Sequence, residues 1–249
     1  MMKKFLKLVL PDFLIKYLIK IHWEIELKKF KKLDNYGIFK KIYTDKLWTP
    51  ENEKNNFKFY SGAGSHETEL TKEYIIKTTQ FLTSFKQKPD ILELGCGDFN
   101  LSSKLVEFSN NFIACDIVDE LIKINKIKFN NLKVEFRVLD MTKHNLPEAD
   151  ICIVRYVLQH LSNEMILKFI TKIKDKFRFL LITEHYPEKK DFIPNLNIIT
   201  GPDIRLDKNS AVDLSEPPFN LKFLEKKDLC KISSKSISGY LRTQIYRLR

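Results

Sequence analysis

From Pro89 onward, short apolar runs alternate with amphipathic stretches along the chain. Residues 90–94, 111–115, 134–139, 149–154 and 178–183 are four- to six-residue apolar runs of the kind buried strands show. Residues 100–108, 120–129 and 162–177 carry helical spacing between them. Five strands joined by helical crossovers predict an α/β fold with a doubly wound parallel sheet. Residues 224–230 and 243–248 extend the pattern and predict a last helix and edge strands. Upstream, residues 12–33 read as a helix capped by Asp12, with Leu14, Ile15, Leu18, Ile19, Ile21 and Ile25 near helical spacing. A second small helix is expected within residues 34–65, and a longer one over residues 67–85.

Two stretches break the rhythm. Tyr60-Ser61-Gly62-Ala63-Gly64-Ser65-His66 gathers small residues beside two rings, a composition that lets backbone approach a ligand closely. Residues 184–223 hold Pro187, Pro194, Pro202, Pro217 and Pro218 and lack periodicity. Long irregular segments in compact domains are usually functional, so an acceptor-binding insertion is expected there.

Charge changes the picture only at the N-terminus. The net charge is +11, of which residues 1–32 supply +6 through nine lysines against Asp12, Glu24 and Glu26. The remaining 217 residues are only mildly basic, which gives no strong nucleic-acid signal. A lysine-rich helix at residues 1–33 fits peripheral contact with anionic lipid, or packing on the domain or on a second subunit as in a homodimer. Packing is the commoner outcome. Pro11 and Asp12 interrupt the apolar run after Leu10, so an export signal is not expected. Cys96, Cys115, Cys152 and Cys230 form no C-x-x-C pair. They fit buried thiols of a cytoplasmic protein, peripheral at most to a membrane, and suggest no metal site.

Candidate chemistry collects at the expected strand ends. Strand one ends in Glu93-Leu94-Gly95-Cys96-Gly97-Asp98, a Gly-x-Gly turn whose backbone can touch a ligand ahead of a helix N-terminus. Such a loop fits any adenosine cofactor. Strand two ends at Asp116, nineteen residues beyond Gly97, where a carboxylate can accept both ribose hydroxyls. Strand three ends at Asp140-Met141, a carboxylate for an adenine amino group and a thioether for the ring face.

Glu93 to Gly97, Asp116, Asp140 and the segment DICIVRYVLQHL at residues 150–161 together resemble class I S-adenosylmethionine-dependent methyltransferases. The resemblance covers about residues 88–184. It implies a Rossmann-like, mostly parallel seven-stranded sheet with S-adenosyl-L-methionine as cofactor. It divides the chain into an N-terminal helical extension with a cofactor-closing loop (residues 1–66) and a methyltransferase domain (residues 67–249). It implies cofactor contacts from Glu93, Gly95, Cys96, Gly97, Asp116, Ile117, Asp140, Met141 and Arg155, with Tyr60, Gly62 and Ser65 closing over the methionine end. Phe99 stands where many members have a third glycine.

SGAGSH, GCGDFN, CDIVDELI, RYVLQHLS and EPPFNL are also similar to small bacterial methyltransferases of capsule and surface-polysaccharide gene clusters. That likeness implies a sugar or phosphoramidate-bearing precursor as acceptor. A hydroxyl acceptor needs a general base, and an anionic one needs cationic groups to hold it. His160, after strand four, is the first candidate base, and His185 the second. Gln159, Tyr186 and Arg205 are the candidate acceptor contacts, Arg205 as anchor for an acidic group. Methylation of RNA or another nucleic acid, and a non-catalytic cofactor-binding subunit, are the competing readings.

Overall fold

The structure is a computed structural model that describes residues 11–56, 58–173 and 175–249. Lys3, Lys4 and Lys7 of the basic run lie outside the described residues. Helix α1 (Asp12–Phe30) begins at Asp12 itself, and Pro11 rather than Asp12 holds the cap position. Helix α2 (Asn35–Thr44) is capped by Asp34, whose side chain accepts from the Gly37 N–H. A single turn, α3 (Ala63–His66), precedes α4 (Thr68–Thr83).

Seven strands then form one sheet: β1 (Ile91–Leu94), β2 (Phe112–Asp116), β3 (Glu135–Val138), β4 (Ile151–Arg155), β5 (Phe179–Tyr186), β6 (Glu225–Ile232) and β7 (Tyr240–Arg247). Their order is β3-β2-β1-β4-β5-β7-β6. The first five pair in parallel, and β7 runs antiparallel to both β5 and β6. Helices α5 (Asp119–Lys128) and α6 (Asn163–Ile173) follow β2 and β4.

The central strands are apolar on both faces because both faces are covered. Leu92, Leu94, Cys152 and Val154 point into a core with Ile38, Ile42, Ile166 and Phe169 from α2 and α6. Ile91, Ile151 and Ile153 point into the opposite one, with Leu70, Tyr74 and Leu82 of α4. All four cysteines are buried and free.

Two expected elements take another form. Residues 100–108 make two short 3-10 turns, Ser102–Lys104 and Val106–Phe108, instead of an α-helix. The Gly-x-Gly loop therefore does not feed a helix N-terminus, and no macrodipole is aimed at a ligand from there. Phe99, just ahead of these turns, sits at φ 57 and is 1% exposed. Its ring packs edge-on against Phe112, Phe129 and Phe136, so the buried cluster holds the chain in the left-handed region. Residues 224–230 are strand rather than helix, because β6 pairs with β7 along its length. Among the described residues no helix is long and apolar enough to cross a membrane.

Candidate active site

The sheet reverses its winding between β1 and β4, and a cavity opens at the carboxyl ends of those strands. This is where an open α/β sheet leaves room for a ligand. Its wall includes Glu93, Gly95, Cys96 and Gly97 from β1 and its loop, Asp116 and Ile117 after β2, Asp140 and Met141 after β3, and Arg155 and His160 from β4 and beyond.

Backbone geometry fixes the loop. Gly95 and Gly97 have φ of 74° and 56°. A Cβ on Gly97 would lie 2.2 Å from Ser61 Oγ, and one on Gly95 would lie 2.3 Å from Val157 Cγ2. Glycine is thus required twice over, by dihedral and by space. The SGAGSH segment is clamped onto the loop. Asp98 N–H donates to Ser61 Oγ (2.7 Å), Ser61 N–H donates to Asp98 Oδ2 (3.1 Å), and His66 Nε2 lies 2.6 Å from the same oxygen. Burial pushes the Asp98 carboxyl up, but His66 and the backbone donors outweigh it and hold the group below the usual range.

The two strand-end acids are partly engaged by their own chain. Asp116 accepts N–H bonds from Gly97 and Val118, both at 3.0 Å. Burial raises its pKa, and these donors oppose the rise. Asp140 accepts from the Thr142 N–H (2.8 Å) and hydroxyl (2.7 Å) and from the Asn35 amide (3.3 Å). Each carboxylate has about four acceptor positions, so both keep some for a ligand.

The methionine end of the cavity holds two buried atoms with no protein partner among the described residues: Glu93 Oε2 and Arg155 Nε. Glu93 is 4% exposed, and burial pushes its pKa up to about 8. Arg155 lies against the Tyr74 and Tyr156 rings, 4.8 and 4.6 Å from their centroids, and donates to the Gly64 carbonyl at 2.7 Å. A zwitterionic α-amino acid supplies the two partners these atoms lack, an ammonium for Glu93 and a carboxylate for Arg155. The residues present therefore fit S-adenosylmethionine from its adenine end to its amino-acid end.

His160 is buried and held in one tautomer. Its Nδ1 faces the Asp203 carbonyl (3.3 Å), so Nδ1 carries the proton and Nε2 keeps its lone pair. Gln159 Nε2 lies 3.3 Å from that lone pair, and the Trp48 ring packs over the imidazole at 4.7 Å. Burial lowers the His160 pKa to about 4, leaving the ring neutral at physiological pH.

The turn bearing His160 is bracketed from both ends. Glu184 accepts the N–H groups of Leu158 (3.0 Å) and Gln159 (2.9 Å). Arg205, 1% exposed, donates to the carbonyls of Leu158 (2.9 Å), Gln159 (3.3 Å), Leu161 (2.7 Å) and Leu196 (3.0 Å) and to Asn163 Oδ1 (2.7 Å). Arg205 is therefore a buried fastener that ties the Pro-rich segment to this turn, not an exposed anchor for an acceptor. Glu184, His185 and Tyr186 are inside β5 rather than beyond it. Tyr186 is buried, with its hydroxyl donating to the Val212 carbonyl at 2.8 Å, and neither it nor His185 lines the cavity. Gln159 reaches the cavity only through His160. Ser65 lines it; Tyr60 and Gly62 do not, and Tyr60 stacks on His66 at 4.4 Å.

Several wall residues carry no local signal of a site. Asn35, Phe39 and Tyr43 recur at i, i+4 and i+8 on one face of α2, and Trp48 follows; all four line the cavity. The Asn35 amide donates to Thr142 Oγ1 (2.9 Å) as well as to Asp140. The spacing was readable as a buried face. That the face covers a ligand site followed only from where α2 docks.

Residues 91–178 match a protein family described as "Methyltransferase domain". No curated protein matches the chain in sequence. Among solved structures, the chain resembles the N-methyltransferase NodS from Bradyrhizobium japonicum WM9 in complex with S-adenosyl-L-homocysteine (TM-score 0.58, 11% identity, 82% of this chain and 95% of that one). It also resembles magnesium protoporphyrin IX methyltransferase (ChlM) from Synechocystis PCC 6803 with bound S-adenosylhomocysteine (TM-score 0.55, 15% identity, 86% of this chain and 100% of that one). The DhpI–S-adenosylhomocysteine complex is a third (TM-score 0.53, 12% identity, 86% and 98%). At these identities the likeness establishes the fold, a Rossmann-like methyltransferase sheet. The family match spans residues 91–178, so the chain carries a methyltransferase domain on that fold.

Proposed function

We propose that the enzyme methylates a neutral hydroxyl on a small-molecule or surface-polysaccharide precursor, with His160 as general base. The observation that carries this reading is the state of His160: a buried, neutral ring in the cavity wall, fixed through Nδ1 by the Asp203 carbonyl, with the Gln159 amide 3.3 Å from its unprotonated Nε2. S-adenosylmethionine supplies a sulfonium methyl already activated for transfer. The chain's own residues have three tasks: to hold the cofactor, to align the acceptor oxygen in line with the methyl, and to take its proton. Glu93, Asp116, Asp140 and Arg155 are assigned to the first. Trp48, Phe39 and Tyr43 form an aromatic wall suited to the apolar face of a sugar. His160 Nε2 would take the hydroxyl proton, with the cofactor's methyl–sulfur bond breaking as the C–O bond forms and S-adenosylhomocysteine leaving.

A phosphate or phosphoramidate oxygen fits less well. It would need a cation at the acceptor end; Arg205 has its donors engaged by the protein, and Arg155 stands at the methionine end. Release of S-adenosylhomocysteine, measured against nucleotide sugars, phosphoramidates and RNA, tests the choice. His160→Ala is expected to slow transfer to a hydroxyl acceptor by about 10²–10⁴-fold with cofactor affinity unchanged. An unchanged rate at saturating acceptor would remove His160 from the chemistry and favour an anionic acceptor.

A further inference from the structure

Helix α1 turns its apolar side outward. Phe13, Tyr17, Leu18 and Ile25 are 72, 59, 41 and 51% exposed. With roughly 3.6 residues per turn, Leu14, Leu18, Ile21 and Ile25 fall on one stripe, with Phe13 and Tyr17 along its edge. Among the described side chains, the opposite side docks the helix through Trp23, Leu27 and Phe30. Trp23 Nε1 donates to Asp203 Oδ1 at 2.9 Å, Leu27 packs against the core, and Phe30 is buried within it. The helix is thus attached along one side, while Leu18 and Ile25 of the stripe are exposed and Leu14 and Ile21 half-buried. Where the stripe ends, Lys28, Lys29, Lys31 and Lys32 are exposed, and Leu33 is exposed beside them.

An outward apolar stripe flanked by lysines has the chemistry of an interfacial helix. We propose that α1 seats the enzyme on an anionic lipid surface, its apolar stripe in the acyl boundary and its lysines at the headgroups. A second copy of the chain fits the stripe less well. Lys28, Lys29, Lys31 and Lys32 gather at one end of the stripe, so a parallel helix pair would oppose like charges there. The same geometry links the surface to the site. Trp23 holds the Asp203 side chain, and the Asp203 carbonyl holds His160 Nδ1. A membrane-bound α1 places the His160 wall of the cavity close to whatever acceptor the surface carries.

Sedimentation of the full chain with vesicles tests this. Vesicles of phosphatidylglycerol and phosphatidylcholine are expected to bind at least about tenfold more protein than phosphatidylcholine alone, with the difference shrinking in high salt. The double substitution Leu18→Asp, Ile25→Asp should abolish binding and leave S-adenosylmethionine affinity, read by calorimetry, unchanged. Equal binding to both vesicle types, or none to either, overturns the proposal. So does a dimer in analytical ultracentrifugation that the double substitution dissociates without any vesicle binding, which would give the stripe to a second copy. None of these outcomes depends on the identity of the acceptor or on the base.

Discussion

At the scale of single residues, the site works by arranging which polar atoms are satisfied by the protein and which are left for a ligand. Asp116 does both. Its carboxylate organises the loop through the Gly97 and Val118 N–H groups while it lines the cavity. Asp116→Ala should therefore weaken cofactor binding by at least about tenfold in calorimetry. It should also lower unfolding stability by about 1–3 kcal/mol in urea, because two buried donors lose their acceptor. Unchanged affinity would remove the ribose assignment and leave only the structural role.

His160 makes a pH prediction of definite sign. Its pKa is lowered from 6.5 to about 4 in the folded chain, so the unfolded chain binds the extra proton between those values. Stability is then fully present above about pH 6.5 and falls as pH drops toward 4. The loss from this group is about 3 kcal/mol when the whole window is crossed. Urea denaturation of His160→Gln against the parent chain should show the difference in stability shifting in favour of the variant as pH is lowered. A pH-independent difference would mean that the imidazole is not buried in its neutral form. The same shift predicts a rate profile with no ionisation near 6.5, since the base is already unprotonated there.

At the scale of elements, the turn after β4 is held by charges applied to its two ends. Glu184 takes the N–H side and Arg205 the carbonyl side, and Arg205 comes from the irregular Pro-rich segment. Burial pushes the Glu184 pKa up to about 8, so the carboxylate depends on the donors and the guanidinium around it. Arg205→Met preserves bulk but leaves several buried carbonyls without their donor and removes the positive charge that favours the Glu184 carboxylate. It is expected to destabilise the fold by about 3 kcal/mol or more. It should also lower kcat by loosening His160 while leaving S-adenosylmethionine affinity within twofold, about 0.4 kcal/mol. A large fall in cofactor affinity with unchanged kcat would contradict the positioning role.

At the scale of the whole molecule, the cofactor half and the C-terminal hairpin are one cooperative sheet. Strand β7 pairs with β5 along eight positions, from Phe179 opposite Arg247 to Tyr186 opposite Tyr240. Truncation after Phe223 would strip β5 of that neighbour and expose a long apolar strand edge. The truncated chain is expected to appear in the insoluble fraction, although every residue of the family match is retained. A soluble truncated chain that still binds cofactor would show that the first five strands fold independently.

What the sequence determined by itself was the local order of elements and the acids at three strand ends. Period and strand-end position are properties of neighbouring residues, so residues 90–94 and the glycines after them could be read without knowing what lies across from them. The α/β class followed from them, and the family resemblance those residues carry pointed to the cofactor. Tertiary structure decided everything that depends on a partner far along the chain. Residues 100–108 took the form of 3-10 turns behind a left-handed Phe99 that is packed among Phe112, Phe129 and Phe136. Residues 224–230 became strand because β7 was there to receive them. Arg205 looked like a free cation in a loop, and packing consumed it. Conversely, Asn35, Phe39, Tyr43 and Trp48 became cavity wall only when α2 docked over the strand ends, and Leu18 and Ile25 of α1 were left exposed while Leu27 and Phe30 packed onto the domain. Burial and long-range hydrogen bonding set those roles, and neither is encoded in the spacing of residues along a single element.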